Sequence, residues 1–458
     1  VHHSQEEFFE SEDITLLSGK VVVGGGNSNE RGLLRIKDNG FLMKKPNGKK
    51  VFENSFNYGV YFEEGCVVEN EFGDVPSVSV IREIAGLPWT RYSYWTSPFL
   101  DGNLSGLSCV NKYEYRDLSE GQNGWMYPSQ NGVKGKGLAL QGVSGGTVGF
   151  RGQVFVGDLT ANTPIIGENP SSSPGSDSWS FIGNPFLHGL NAGELLRDNQ
   201  NYLQGAIYLW DQSSFANQWG FSSDEYTIIN GLGTTNPDAS GHHNEGEEMD
   251  VDQFWLSPFQ AVFVQGAEGN GNGPIAYKVH KETDTNYSFH QKSNVASEKE
   301  KVWLVLKDLD RKKESKVLLG YTPTSTNSLD FLFDAADEVG GFGIYMAEHG
   351  KKLRIQGRAM LEGKDSTHIV LNVPSGNFCF GIDRLHDFEY PLLVEKDDGE
   401  RIDLREQDYC FSASSSQSIT GILKIGDWKK RRRRLLFSND EKSDGIQGVF
   451  DVLGREIH

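Results

Sequence analysis

Short apolar and aromatic runs, cut by Gly, Asn, Asp and Pro, recur along most of the chain. Runs of this length with period-two alternation predict strands rather than helices. In "TVGFRGQVFVG", Val148 and Phe150, then Val154 and Val156, fall on alternating positions around Gly152, the pattern of a half-buried hairpin. One segment departs from the rule. "NAGELLRDN", Asn191–Asn199, has an Asn cap, an early Glu194 and the pair Leu195–Leu196, which predicts a helix.

Four stretches follow from where the pattern changes. Residues 1–90 predict very short strands separated by Asp-Asn-Gly and Pro-Asn-Gly turns, either β-solenoid-like or an open meander edge. Residues 91–290 predict a β-sandwich-like domain with strands at "RYSYWTS", "GLALQGV", "WSFIGN", "AIYLWDQ", "YTIING" and "FWLSPFQAVFVQG" and with long loops. Residues 291–415, from "KVWLVLKDLD" to "PLLVEKDDGERIDL", predict a second such domain. Residues 416–458 are a basic linker and tail. The expected fold class is therefore all-β, with tandem sandwich-like domains after a short-strand segment.

Composition agrees. Fifty-four glycines among 458 residues exceed the usual ~7% share, and 27 Phe, 16 Tyr and 9 Trp favour strands. A formal net charge of -19 argues against nucleic acid as a partner, because phosphate binding needs a basic face. No apolar run of ~18 residues is present to span a membrane as a helix. The start at Val1-His2-His3 reads as a chain whose leader has been removed.

Candidate chemistry is sparse, and a non-enzyme is expected. Cys66, Cys109, Cys379 and Cys410 lack C-x-x-C spacing, so zinc is not expected. Cys379 and Cys410 each sit in an aromatic strand of one predicted domain. They are either a strand-to-strand disulfide or two buried thiols; a Cys66–Cys109 pair is a further option. The densest set of metal-ligating side chains is His242, His243, Glu245, Glu247, Glu248, Asp250 and Asp252. A metal held on a strand wants ligands at i, i+2, and on a helix at i, i+4. This Gly-rich loop offers neither, so it reads as a solvated acidic loop. Weak calcium binding by the set that includes His242, His243, Asp250 and Asp252 is the alternative. No cofactor is expected otherwise. The basic run Lys429, Lys430, Arg431, Arg432, Arg433, Arg434 reads as a contact to acidic surface of the same chain or of a neighbouring copy.

At "YSYWTSP" and "WSFIGNPF" the chain resembles large surface and extracellular proteins of Bacteroidota that are exported by type IX secretion. The matching pieces run in the family's order: Tyr92–Pro98, "KGKGLAL", "FRGQVFVGDLT", "SFIGNPF", "GAIYLWDQ" and "WLSPFQAVFVQG". "VWLVLKD", "LLGYTP", "IYMAE" and "KLRIQGR" are similar to the segment before the family's sorting domain, and "IQGVFDVLGREI" looks like the first half of that domain. The resemblance implies export to the outer cell surface or beyond and a β-rich build, but no reaction. The expected function is a secreted, non-catalytic surface or matrix protein, with identical subunits joining through open strand edges into an oligomer or filament. The alternative is a glycan-binding adhesin using exposed aromatics such as Trp89, Trp95, Trp125 or Trp210, although core packing is the preferred reading of those rings. A hydrolase is the third class.

Overall fold

The computed structural model describes residues 84–426 apart from 85, 103, 105, 116–123, 129–134, 153–158, 166–178, 187–188, 211–225, 237–249, 268–272, 279–298, 337–341 and 396–400. Before residue 84 it describes six strands by their backbone. The protein is all-β, with one short helix among the described residues.

The first strands alternate between two parallel stacks. Glu10–Ile14, Leu33–Leu42 and Val67–Asn70 form one, and Val21–Val23 with Val60–Phe62 forms the other. Parallel pairing of every second strand is the topology of a coil, in which each turn lays its strands beside those of the turn before. The last strand of this stretch, Val78–Ile84, pairs antiparallel with Gly146–Gly152. Val148 and Phe150 thus have a long-range partner from the preceding segment. Val154 and Val156 lie outside the described residues.

The next unit is layered around a sheet in the order Trp179–Gly183, Ala261–Gly266, Leu203–Trp210, Tyr226–Asn230. Alternation splits its side chains cleanly. Ile182, Ile207, Ile229, Val262 and Val264 face one core with Leu195 and Leu196 of the helix Ala192–Asp198. Asn191 caps that helix, its Oδ1 accepting the Glu194 N–H at 2.9 Å. Phe181, Tyr208, Ile228 and Phe263 face the opposite way, into a second, aromatic layer. The turn after Gly183 is built by buried Asn184, whose Oδ1 accepts the Phe186 N–H and whose Nδ2 donates to the Leu256 carbonyl, both at 2.9 Å. These two bonds, with the Asn184 N–H donating to the Gln260 carbonyl at 3.0 Å, hold the chain reversal.

Residues 300–426 form one eleven-stranded sheet that curls nearly into a barrel. Its strands run in the order Arg401–Asp403, Leu392–Glu395, Gln417–Gly426, Lys364–Val373, Gly343–Glu348, Lys351–Arg358, Lys313–Tyr321, Glu300–Asp308, Gly376–His386, Tyr409–Ala413; Ala335–Ala336 pairs beside Lys351–Arg358. Val302, Leu304, Leu306, Ile344, Ile369, Phe378, Phe380 and Leu423 fill one common interior. The sheet continues past the expected boundary at 415. Gln417–Gly426 is a central strand of this sheet, pairing with both Lys364–Val373 and Leu392–Glu395, and the Ser-rich joint is the turn that enters it.

The two units are not separated. Trp303, Leu318 and Ile355 form a row across three adjacent strands on the outer face of the barrel-like sheet. All three are buried in the same aromatic layer as Phe181, Tyr208 and Phe263. Trp303 Nε1 donates to the Thr234 carbonyl at 2.7 Å, and the Tyr208 hydroxyl donates to the Ala336 carbonyl at 2.5 Å. The Gly231 N–H reaches the Leu332 carbonyl at 2.6 Å.

Candidate functional site

The aromatic layer opens to solvent at one end. A four-stranded sheet in the order Tyr92–Trp95, Leu138–Gln141, Asn111–Tyr115, Trp125–Met126 covers it. Cross-strand partners share a face, so the registers Tyr92–Gln141–Asn111 and Tyr94–Ala139–Tyr113 define two rows of neighbours. At the inner end Tyr94 lies 4.7 Å from Phe181, 5.8 Å from Phe263 and 5.4 Å from Trp210 between ring centroids. Its hydroxyl shares a hydrogen bond of 2.6 Å with the Tyr226 hydroxyl. Edge-on and offset contacts of this kind add to the stabilisation from burial alone.

At the outer end three tyrosines form a file only in the sense that each packs on the next, with planes tilted by 42° and 32°. Tyr92 is 6.0 Å from Tyr113, and Tyr113 is 5.3 Å from Tyr127. Tyr127 is 70% exposed. Burial first, then hydrogen bonds and charge from Tyr127 and Tyr92, push the Tyr113 phenol up to about 12, so it stays a neutral donor through the physiological range. Tyr92 is raised too, chiefly by burial, with its hydrogen bond to Tyr113 opposing. Beside the file, Asn111 Nδ2 donates to Gln141 Oε1 at 2.7 Å. Glu114 points to the opposite side of its strand, buried 3.6 Å from Lys136.

The four tryptophans raised by the sequence divide. Trp95 is buried against Phe259, and its Nε1 donates to Ser93 Oγ at 2.7 Å. Trp125 and Trp210 are half-buried members of the aromatic layer. Trp89 is 52% exposed and lies against Gly142 with Val110. No sequence motif marks Tyr113, Tyr127, Asn111 or Gln141 as functional. The period-two pattern of "NKYEY" was the available signal for a strand carrying Asn111 and Tyr113 on one face.

Cys379 and Cys410 are joined in a disulfide between directly opposed positions of neighbouring strands. Cys109 is a free, half-buried thiol whose pKa burial raises, while Cys66 lies outside the described residues. Asp250 and Asp252 are engaged by cations of the chain itself. Lys299 Nζ meets Asp250 Oδ2 at 2.9 Å, and Arg197 meets Asp252 at 2.6 Å. His242 and His243 lie outside the described residues, as do Lys429–Arg434. Among the described residues no three His, Cys, Asp or Glu side chains gather to hold a metal, and no helix is long and apolar enough to cross a membrane.

The fold and this surface define an all-β protein in which a strand coil, a layered sheet unit and a barrel-like sheet follow one another, the last two sharing an aromatic core. The family model described as a domain of unknown function, DUF8693, matches residues 63–420, and the chain belongs to that family. No curated protein and no solved structure gives a significant match.

Proposed function

We propose that the protein is an exported, non-catalytic structural component of an outer cell surface or extracellular matrix, whose copies associate through strand edges into oligomers or filaments. The observation that carries this is the Cys379–Cys410 disulfide and the strand it anchors. Persistent disulfides belong to oxidising compartments. Among the described residues the bonded strand Tyr409–Ala413 stands last in the order of its sheet and pairs with Gly376–His386. Its sequence, Tyr-Cys-Phe-Ser-Ala, has none of the charges or prolines that discourage edge pairing. The resemblance to exported Bacteroidota surface proteins supports the same reading.

Cell fractionation with thiol labelling tests export: the native protein is expected outside the cytoplasm with Cys379 and Cys410 protected, and a reduced cytoplasmic pool would overturn it. Electron microscopy and sedimentation of native protein test assembly. Multimers that dissociate in Ser412→Pro are expected, and dispersed monomers alone would overturn it. A glycan-binding adhesin is the second reading, favoured by the open tyrosine file.

A further inference from the structure

We propose that the outer end of the aromatic layer is a binding site for a neutral polysaccharide, built from Tyr127, Tyr113 and Tyr92 with the Asn111–Gln141 amide pair. The proposal rests on the adhesin reading and makes it specific in residues and in ligand class. A pyranose ring has an apolar C–H face and a rim of hydroxyls. It therefore fits a surface that offers flat aromatic faces next to oriented donors and acceptors, and it is held poorly by either alone.

The structure places both kinds of group together. Ring centroids 5.3 and 6.0 Å apart, with planes tilted by 32° and 42°, join Tyr127, Tyr113 and Tyr92 into one contiguous aromatic surface. The amide pair stands in the Tyr92 row of the sheet, because Gln141 is the cross-strand partner of both Tyr92 and Asn111. Its internal bond uses Asn111 Nδ2 and Gln141 Oε1. That bond fixes both planes and leaves Asn111 Oδ1 as an acceptor and Gln141 Nε2 as a donor for sugar hydroxyls. Preorganised groups lose little entropy on binding, and tyrosine rings supply contact area with few rotatable bonds.

Charge decides between classes of glycan. The chain carries a formal net charge of -19, and Glu114, on the other side of the strand that carries Asn111 and Tyr113, is paired with Lys136. A polyanionic glycan would approach against the field of the whole protein. The neutral class is left.

Affinity electrophoresis and calorimetry of the full chain test this with cellohexaose, xylohexaose, laminarihexaose and mannan as neutral probes and hyaluronan and alginate as acidic ones. At least one neutral probe is expected to bind and neither acidic polymer to do so. Tyr127→Ala and Asn111→Ala are each expected to weaken binding about tenfold, Tyr127→Phe to retain it, and Leu329→Ala, an exposed apolar change on the other unit, to leave it unchanged. Circular dichroism shows whether each variant is folded; the exposure of Tyr127 makes its truncation a mild one. Absence of binding to every neutral probe, tighter binding of an acidic polymer, or undiminished binding by folded Tyr127→Ala would each overturn the site. Binding of a neutral probe that folded Tyr127→Ala leaves undiminished would overturn this site and keep the adhesin reading, whereas absence of binding to every probe would overturn both.

Discussion

Trp303 Nε1 donates to the backbone carbonyl of Thr234 at 2.7 Å, across 69 positions of sequence, with the whole indole buried. The bond belongs to the apolar layer that the sheet unit and the barrel-like sheet hold in common. An indole placed there contributes its area and also satisfies a carbonyl that the docking of the units removes from water. The two units are therefore expected to lose structure together.

Trp303→Ala is predicted to destabilise the protein by about 3–5 kcal/mol, the usual cost of emptying a large buried aromatic site. Trp303→Phe keeps part of the area but orphans the Thr234 carbonyl, and is predicted to cost about 1–3 kcal/mol. Urea unfolding followed by fluorescence and by far-ultraviolet circular dichroism should give coincident transitions for residues 91–426. Two well-separated transitions would contradict a shared core.

A glycine at the same interface gives a second check. A Cβ on Gly205 would sit 2.6 Å from Leu332 Cα, closer than side chains come to a backbone. Leu332 itself holds a positive φ of 70°, so its loop has little freedom to retreat. Gly205→Ala is predicted to lower the melting temperature by several degrees, from about 1–3 kcal/mol of overpacking. Gly149→Ala, where an added Cβ meets nothing within 4 Å, should change little by comparison.

Removal of the disulfide should act mainly through the unfolded chain. Cys379 and Cys410 close a loop with a sequence separation of 31, for which chain entropy gives about 3–4 kcal/mol. The double substitution Cys379→Ser, Cys410→Ser is predicted to lower the urea midpoint accordingly. Reduction of the wild-type protein should bring it to the same midpoint, and reduction should not affect the variant.

Asp334 is expected to give stability a pH dependence. Burial is the largest cause that lifts its carboxyl to about 7, with the charge of Asp330 adding, and N–H bonds from Asp330 and Gly357 and the charge of Arg358 opposing. The unfolded aspartate titrates near ~3.9. Between those values the folded chain holds a proton that the unfolded chain has released, so stability falls as pH rises from about 4 to 7 and levels off above. Asp334→Asn stays neutral throughout. Its stability relative to the parent is predicted to improve by about 2–4 kcal/mol from pH 4 to pH 8, read from urea midpoints.

Local pattern determined much of this protein. Alternation in "WSFIGNPF" and "QAVFVQG" set Phe181 and Phe263 apart from Ile182 and Val262, because successive strand side chains point to opposite faces whatever they pack against. The Asn191 cap and the Gly-Asn-Pro turn were legible for the same reason, since both are satisfied within a few residues. Spacing alone leaves the opposed cysteines open between disulfide and free thiols, because it does not bring two strands into register.

Tertiary structure decided what those faces meet. Nothing in "KVWLVLK" distinguishes Trp303, which docks on the other unit, from Val302 and Leu304, which fill the barrel-like interior. Both faces are apolar, so the pattern marks burial without naming the partner. Strand pairing was equally beyond reach: Gly146–Gly152 found Val78–Ile84, and Gln417–Gly426 entered the middle of a sheet from beyond a Ser-rich joint. The tyrosine file depends on such pairing as well. Tyr92, Tyr113 and Tyr127 lie on separate pieces of chain, and only the register of four strands brings their rings into contact, because contact across a sheet is fixed by backbone hydrogen bonding between segments remote in sequence.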